Sequence, residues 1–267
     1  MKNKIAILGC GNIGSAIANG LVAGGDVRAS DIILTRRDIS RLSDFESRGF
    51  KISASNVEAV KKSQIIIAAL TPKQLNDVLE EIKEHLIRYT HMLFSVVSGA
   101  SIKQIKEIVG NHIPTVRVMP NTAIAIRESM TCISALPEDK AALDISLKLF
   151  NRLGKTVVIS EELMVPATAL CACGIAFFMR AIRAASQGGI EIGFHAEDAL
   201  FMAAQTAKGA AAMIIDGGNH PEWEVDKVTT PQGCTIAGLN QMEHSGFSSS
   251  LIKGIVTSAE KAEKLYK

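Results

Sequence analysis

Aromatic residues are scarce: one Trp, two Tyr and nine Phe among 267 residues. No basic run interleaves with the few that exist, and the formal net charge is only +2. A nucleic-acid interface needs a basic stripe with stacking rings, so this class of partner is not expected. Cysteine is equally thin. Five residues, an odd number, are scattered without C-x-x-C spacing, and Cys171 and Cys173 lie only two apart. That pattern predicts neither a disulfide framework nor a metal site, and it suits a reducing cytoplasm. No apolar run reaches the length a bilayer demands, so no membrane partner is expected. The opening Met1-Lys2-Asn3-Lys4, followed by Ile5-Ala6-Ile7-Leu8-Gly9, is too short and too glycine-interrupted for a signal peptide.

What is present is a hydrophobic fraction of 47% against 21% charged residues, the balance of a folded protein with a sizeable core. In the first part, short apolar strands alternate with amphipathic stretches. The pattern predicts strands at 4–8, 31–34, 64–68, 92–95, 115–118 and 156–158. Helices are predicted at 12–23, 41–48, 73–87, 101–108 and 139–153. Such alternation argues for a Rossmann-like, doubly wound parallel sheet over residues 1–160. Beyond that point the strand pattern stops and Ala, Gly, Met and Ile dominate. Helices are predicted at 166–186, 196–215, 236–245 and 248–265. Several are apolar on more than one face and must be buried. An all-helical domain over 161–267, about a hundred residues, has little interior for them. A second subunit is expected to cover them, giving a homodimer or higher oligomer. Cover by the first domain is the alternative.

Two turns carry the chemistry. Gly9-Cys10-Gly11-Asn12-Ile13-Gly14 follows a strand and opens a helix, the context a dinucleotide turn requires. There Gly9 permits the tight turn, Gly11 the approach of a pyrophosphate, and Gly14 close packing of helix on strand. After the second strand stands Thr35-Arg36-Arg37, where an acid would hold an unphosphorylated ribose. A hydroxyl and two guanidinium groups suit a 2′-phosphate, which favours NADPH over NADH as the carrier. The loops ending later strands hold Ala69-Leu70-Thr71-Pro72, Val97, and Met119-Pro120-Asn121. They are expected to wall the ribose and nicotinamide, because ligands of open parallel sheets sit at those carboxyl ends.

The second turn is Thr230-Pro231-Gln232-Gly233-Cys234-Thr235-Ile236-Ala237-Gly238-Leu239. A polar turn running into a helix leaves free backbone N–H groups, a seat for a small carboxylate. The six histidines (His85, His91, His112, His195, His220 and His244) fall outside both turns and are expected on surface loops or helix faces.

With residues 9–14 and Arg117-Val118-Met119-Pro120-Asn121-Thr122, the second turn makes the chain resemble the pyrroline-5-carboxylate reductase family over nearly its whole length. The resemblance implies an NAD(P)H-dependent reduction of a cyclic imine to proline, by an N-terminal Rossmann domain and a helical domain shared with another subunit. It implies that the substrate carboxylate sits on the amides at Gly233 and Cys234, with Thr230 nearby, and that Thr235 reaches the ring nitrogen as the catalytic contact. It also implies cofactor contacts at Thr35 and Asn56. Departures from the family pattern cluster in the substrate half. The chain has Leu70-Thr71-Pro72 for Val-Lys-Pro, Gln232-Gly233 for Gly-Gly, Val165 for an acid, and Cys171-Ala172-Cys173-Gly174-Ile175-Ala176 for Ser-Gly-Ser-Gly-Pro-Ala. They leave open a reductase of another small cyclic imino acid, or a non-catalytic NADPH-binding relative. A β-hydroxyacid enzyme would need a Lys within 163–180, and none is there. A protonated imine carries its own electrophile, so no metal is expected.

Overall fold

The computed structural model describes residues 4–25 and 27–264. They fall into two compact units, one of residues up to Cys173 with those from Ser258 on, the other Gly174–Thr257. The first unit runs β1 (Ile5–Leu8), α1 (Asn12–Ala23), β2 (Ile32–Thr35), α2 (Ser43–Ser47), β3 (Lys51–Ser53), α3 (Asn56–Lys61), β4 (Ile65–Ala68), α4 (Pro72–Ile82), β5 (Met92–Ser95), α5 (Ile102–Val109), β6 (Thr115–Met119), β7 (Ser129–Ala135), α6 (Lys140–Phe150), β8 (Gly154–Val158) and α7 (Met164–Ala167).

The sheet order is β3-β2-β1-β4-β5-β6-β7-β8. Its first six strands are parallel and follow the doubly wound order, which reverses direction between β1 and β4. Every residue of β1 and β4 is buried, as strands covered on both faces must be. Side-chain alternation sends Ile5 and Ile7 into one core layer, with Ile17, Leu21 and Phe150, and Ala6 and Leu8 into the other, with Leu75 and Leu79.

The edge departs from the parallel expectation. β7 pairs antiparallel to β6, and β8 runs parallel to β7. The composition of β7, Ser-Met-Thr-Cys-Ile-Ser-Ala, hides it from an apolar pattern. It is buried nonetheless, because the Ser129 and Thr131 hydroxyls bond each other at 3.0 Å. β3 is three residues long and α3 six, too short for a periodic signal. His91 also corrects the surface expectation. It is buried, its Nδ1 accepts the Ile87 N–H at 2.8 Å, and its Nε2 donates to the Val60 carbonyl at 3.2 Å.

An ion pair between a buried arginine and a half-buried glutamate ties the far edge to the sheet. Arg117 on β6 is buried, and its Nη1 lies 3.2 Å from Glu161 Oε1. The same oxygen accepts the Ile102 N–H at the start of α5, at 2.6 Å. Desolvation pulls the Arg117 guanidinium below its ordinary value, and Glu161 partly restores it.

The second unit holds α8 (Gly174–Glu191), α9 (Ala196–Gly217), α10 (Pro221–Val228), α11 (Cys234–His244) and most of α12 (Phe247–Ala262). α10 lies outside the sequence expectation; its Pro221 start and its cap, His220 Nδ1 accepting the Glu222 N–H, mark it. α8 and α9 approach closely at Gly189, where an added Cβ would lie 3.0 Å from that of Ala199. Yet Phe178, Met179, Leu200, Phe201 and Ile215 all stand exposed. The helix over Glu161–Glu191 also corrects the run-length reading, since its 31 residues are apolar enough by length and composition to cross a bilayer. Isolated polar residues interrupt the apolar string, yet its mean hydropathy stays at 1.8.

Removing Glu161 leaves the buried Arg117 charge uncompensated. Glu161→Gln is therefore expected to cost about 3 kcal/mol in urea unfolding, and adding Arg117→Met to recover most of it. A loss below about 1 kcal/mol would show the pair to be dispensable.

Candidate functional site

The first site sits where the sheet order reverses. Between β1 and α1 the chain turns at Gly9, with φ +84°, a conformation glycine adopts without strain. An added Cβ there would meet Leu70 Cδ2 at 2.5 Å and the Ala69 carbonyl at 2.7 Å. At Gly14 it would meet the Gly9 carbonyl at 2.9 Å. Gly11 differs: its φ is −94°, and an added Cβ would meet nothing within 4 Å. The fold demands glycine at positions 9 and 14 but not at 11. Gly11 is also the cap residue of α1, where no side chain caps the helix and no acid stands in the first turn. The N–H groups of Asn12 and Ile13 therefore face outward with the positive end of the helix dipole.

A cleft of roughly 410 Å³ opens beside this turn. The turn contributes Gly9, Cys10 and Gly11, and the end of β2 contributes Thr35, Arg36 and Arg37. The loop after β4 adds Ala69, Leu70 and Thr71, and Asn56 lines it from the start of α3. Sequence reasoning missed Asp38, Arg41 and Gln74, which also line it. Arg41 reaches it from the 3-10 turn Ile39–Leu42, four residues after Arg37. Its Nε sits 3.3 Å from Asp38 Oδ2. Thr71 caps α4, donating its hydroxyl to Gln74 Oε1 at 2.8 Å, and Pro72 fills the first helical position.

Thr35 is placed differently from a phosphate ligand. It is buried, and its hydroxyl accepts the Gly9 N–H at 3.3 Å while donating to Asn56 Oδ1 at 2.6 Å. Asn56 Nδ2 in turn donates to Glu81 Oε2 at 2.9 Å. Both residues brace the turn. Arg36 Nη1 donates to the Cys10 carbonyl at 2.8 Å, which leaves Arg37 and Arg41 as the more exposed cations. Burial pushes the Cys10 thiol up, partly offset by Ser15 and Arg36.

Val97, Met119 and Asn121 do not line this cleft. Val97 is buried in the second core layer. Met119 packs with Cys132, Met164 and Ala167. Asn121 Oδ1 accepts the Ala123 N–H at 3.0 Å, and its Nδ2 donates to the Cys171 carbonyl at 3.3 Å. The Met119 and Asn121 side chains hold the end of β6 in place.

The second site lies in the helical unit. Thr230 to Gly233 form a turn closed by the Gly233 N–H on the Thr230 carbonyl at 2.9 Å. Pro231 fits its second position, and Gln232 adopts φ +63° at the third, where glycine is favoured. An added Cβ on Gly233 would meet Thr230 Oγ1 at 2.5 Å. Gly233 caps α11 with no side-chain bond and no acid in the first turn. Thr230, Gly233, Cys234 and Thr235 are thus brought together around an open helix N-terminus, with Cys234 exposed and Thr235 half-buried.

Residues 161–265 match the family model for pyrroline-5-carboxylate reductase dimerisation, and residues 4–99 that for NADP oxidoreductase, coenzyme F420-dependent. The chain is 55% identical to pyrroline-5-carboxylate reductase 1 of Dictyostelium discoideum, over 99% of this chain and 50% of that protein. It thus spans half the length of that relative. It is 49% identical to pyrroline-5-carboxylate reductase 2 of the same organism, over 99% of this chain and 94% of that protein. Among solved structures, pyrroline carboxylate reductase of Plasmodium falciparum with NADP bound superposes with a TM-score of 0.88. The two are 25% identical, and the match covers 100% of this chain and 99% of that one.

The glycine geometry separates two substitutions. Gly14→Ala is expected to lose about 1–2 kcal/mol in urea unfolding through its backbone clash. Gly11→Ala should lose less than about 1 kcal/mol. The reverse order would contradict the assignment of steric roles.

Proposed function

The chain belongs to the pyrroline-5-carboxylate reductase family, and from that premise we infer that it reduces the cyclic imine 1-pyrroline-5-carboxylate to L-proline with hydride supplied by bound NADPH. One observation carries the cofactor assignment. Gly11, the one glycine of the turn the fold does not itself require, caps an open helix end beside the arginine-lined cleft. Gly9, Cys10, Gly11, Asn12, Ile13 and Gly14 would hold the pyrophosphate. Arg36, Arg37 and Arg41 would hold the 2′-phosphate through charge-assisted bonds. NADH, lacking that phosphate, is the weaker carrier. Ala69, Leu70, Thr71 and Pro72 wall the ribose, while Val97, Met119 and Asn121 contribute toward the nicotinamide through the backbone they hold.

In the helical domain, residues 161–267, the amides at Gly233, Cys234 and Thr235 receive the substrate carboxylate beside Thr230. Thr235 keeps a hydroxyl that both donates and accepts, matched to a ring nitrogen that turns from iminium to amine. The protein's task is then orientation rather than proton supply, since the protonated imine is already electrophilic. The exposed apolar faces of α8 and α9 are covered by a second copy, making at least a homodimer. The five free thiols suit a cytoplasmic enzyme.

Purified protein given pyrroline-5-carboxylate is expected to consume NADPH. Thr235→Ala should lower kcat/KM by about 100-fold with little change in the Kd for NADPH. Arg36→Ala with Arg37→Ala should narrow the preference for NADPH over NADH by roughly tenfold. An unchanged rate for the first variant would refute the role of Thr235, and an unchanged preference for the second would refute the 2′-phosphate assignment.

A further inference from the structure

Two thiols far apart in sequence meet at the sheet edge. Cys132 lies on β7, paired in register with Met119 of β6, and is buried. Cys171 lies in the π-helical turn Thr168–Cys173 that follows α7, and is half-buried. Their sulfurs stand 3.8 Å apart. A disulfide requires about 2.05 Å, so a closure of less than about 2 Å would join them. Among the described residues no group of three or more His, Cys, Asp or Glu is placed to hold a metal ion, so metal ligation does not explain the pair.

The two thiols are unequal. The hydrogen bond from Cys132 favours the Cys171 thiolate and holds that thiol below its ordinary value. The same contact, with burial, pushes Cys132 up. Cys171, the less buried of the two, is therefore the better nucleophile, and the buried Cys132 is placed to resolve it.

We propose that Cys132 and Cys171 form a reversible redox pair that closes to a disulfide under a peroxide and reopens under a dithiol. The Cys171 thiolate attacks one peroxide oxygen, the O–O bond breaks, and the leaving oxygen departs as hydroxide. Cys132 then attacks the resulting sulfenic sulfur and loses its proton, and the sulfenic oxygen leaves as water. In sum, two thiols and one hydrogen peroxide give one disulfide and two waters. Closure has a direct mechanical consequence. The Cys171 carbonyl accepts Asn121 Nδ2, and Met119 packs against Cys132, so drawing the π-turn onto β7 displaces the segment after β6. That segment is assigned above to the nicotinamide end, and to this extent the effect on turnover rests on the reductase reading.

The test treats the whole reduced protein with hydrogen peroxide, blocks free thiols, and maps linked peptides by mass. A Cys132–Cys171 link is expected in at least about half of the chains, about 2 Da lighter than the two reduced peptides and reversed by dithiothreitol. Imine reduction should fall at least about fivefold on oxidation and return on reduction. Cys171→Ala, and independently Cys132→Ser, should keep the reduced-state rate and lose the peroxide response. Absence of the link, with Cys171 carried on to sulfinic acid or joined to another cysteine, would overturn the proposal. A link that leaves turnover unchanged would overturn its mechanical part. Inactivity of the untreated, reduced protein would instead count against the reductase reading, and the peptide map would stand apart from it.

Discussion

The cofactor cleft depends on how the ends of β1 and β2 are tied. Leu8 and Thr35 are register partners, so the Thr35 hydroxyl arrives beside the Gly9 turn. The Cys10 N–H bonds the Thr35 carbonyl at 2.8 Å, and the Thr35 hydroxyl donates a hydrogen bond to Asn56 Oδ1. These bonds hold a left-handed glycine in place, and that glycine aims the first turn of α1. With no side chain capping it, the helix presents its amides and dipole to whatever anion enters. Thr35 lines the cleft, and its hydroxyl is bonded on both sides within the turn whose geometry it fixes.

The same device recurs at α11 with a different brace. There Thr230 and Pro231 close a turn around Gly233, and the helix begins uncapped beside Thr235. Gln232 sits in a backbone region that costs a side-chain-bearing residue on the order of 1 kcal/mol. Strain at the mouth of a site is common, and here it falls on a residue that departs from the family pattern.

Much of this was legible in the sequence because it rests on periodicity and on glycine. β1, α1, β4 and β5 show as apolar runs closed by turn residues, and residues 9–14 and 230–239 announce helix starts. What escaped has a physical reason in each case. β7 buries hydroxyls that satisfy one another, so no apolar alternation betrays it. Arg41 enters the cleft from a short 3-10 turn, and Arg117 is buried only because Glu161, forty-four residues later, returns to meet it. Cys132 and Cys171 come together through strand pairing and a π-turn, neither of which a spacing rule encodes.

The central claim is that the open first turn of α1 receives the dinucleotide pyrophosphate, and backbone amide NMR during titration with NADPH tests it most directly. The account predicts the largest shifts at Gly11, Asn12 and Ile13, saturating together with those of Arg36 and Arg37. Saturable binding that leaves the amides of Gly11, Asn12 and Ile13 unmoved would contradict it.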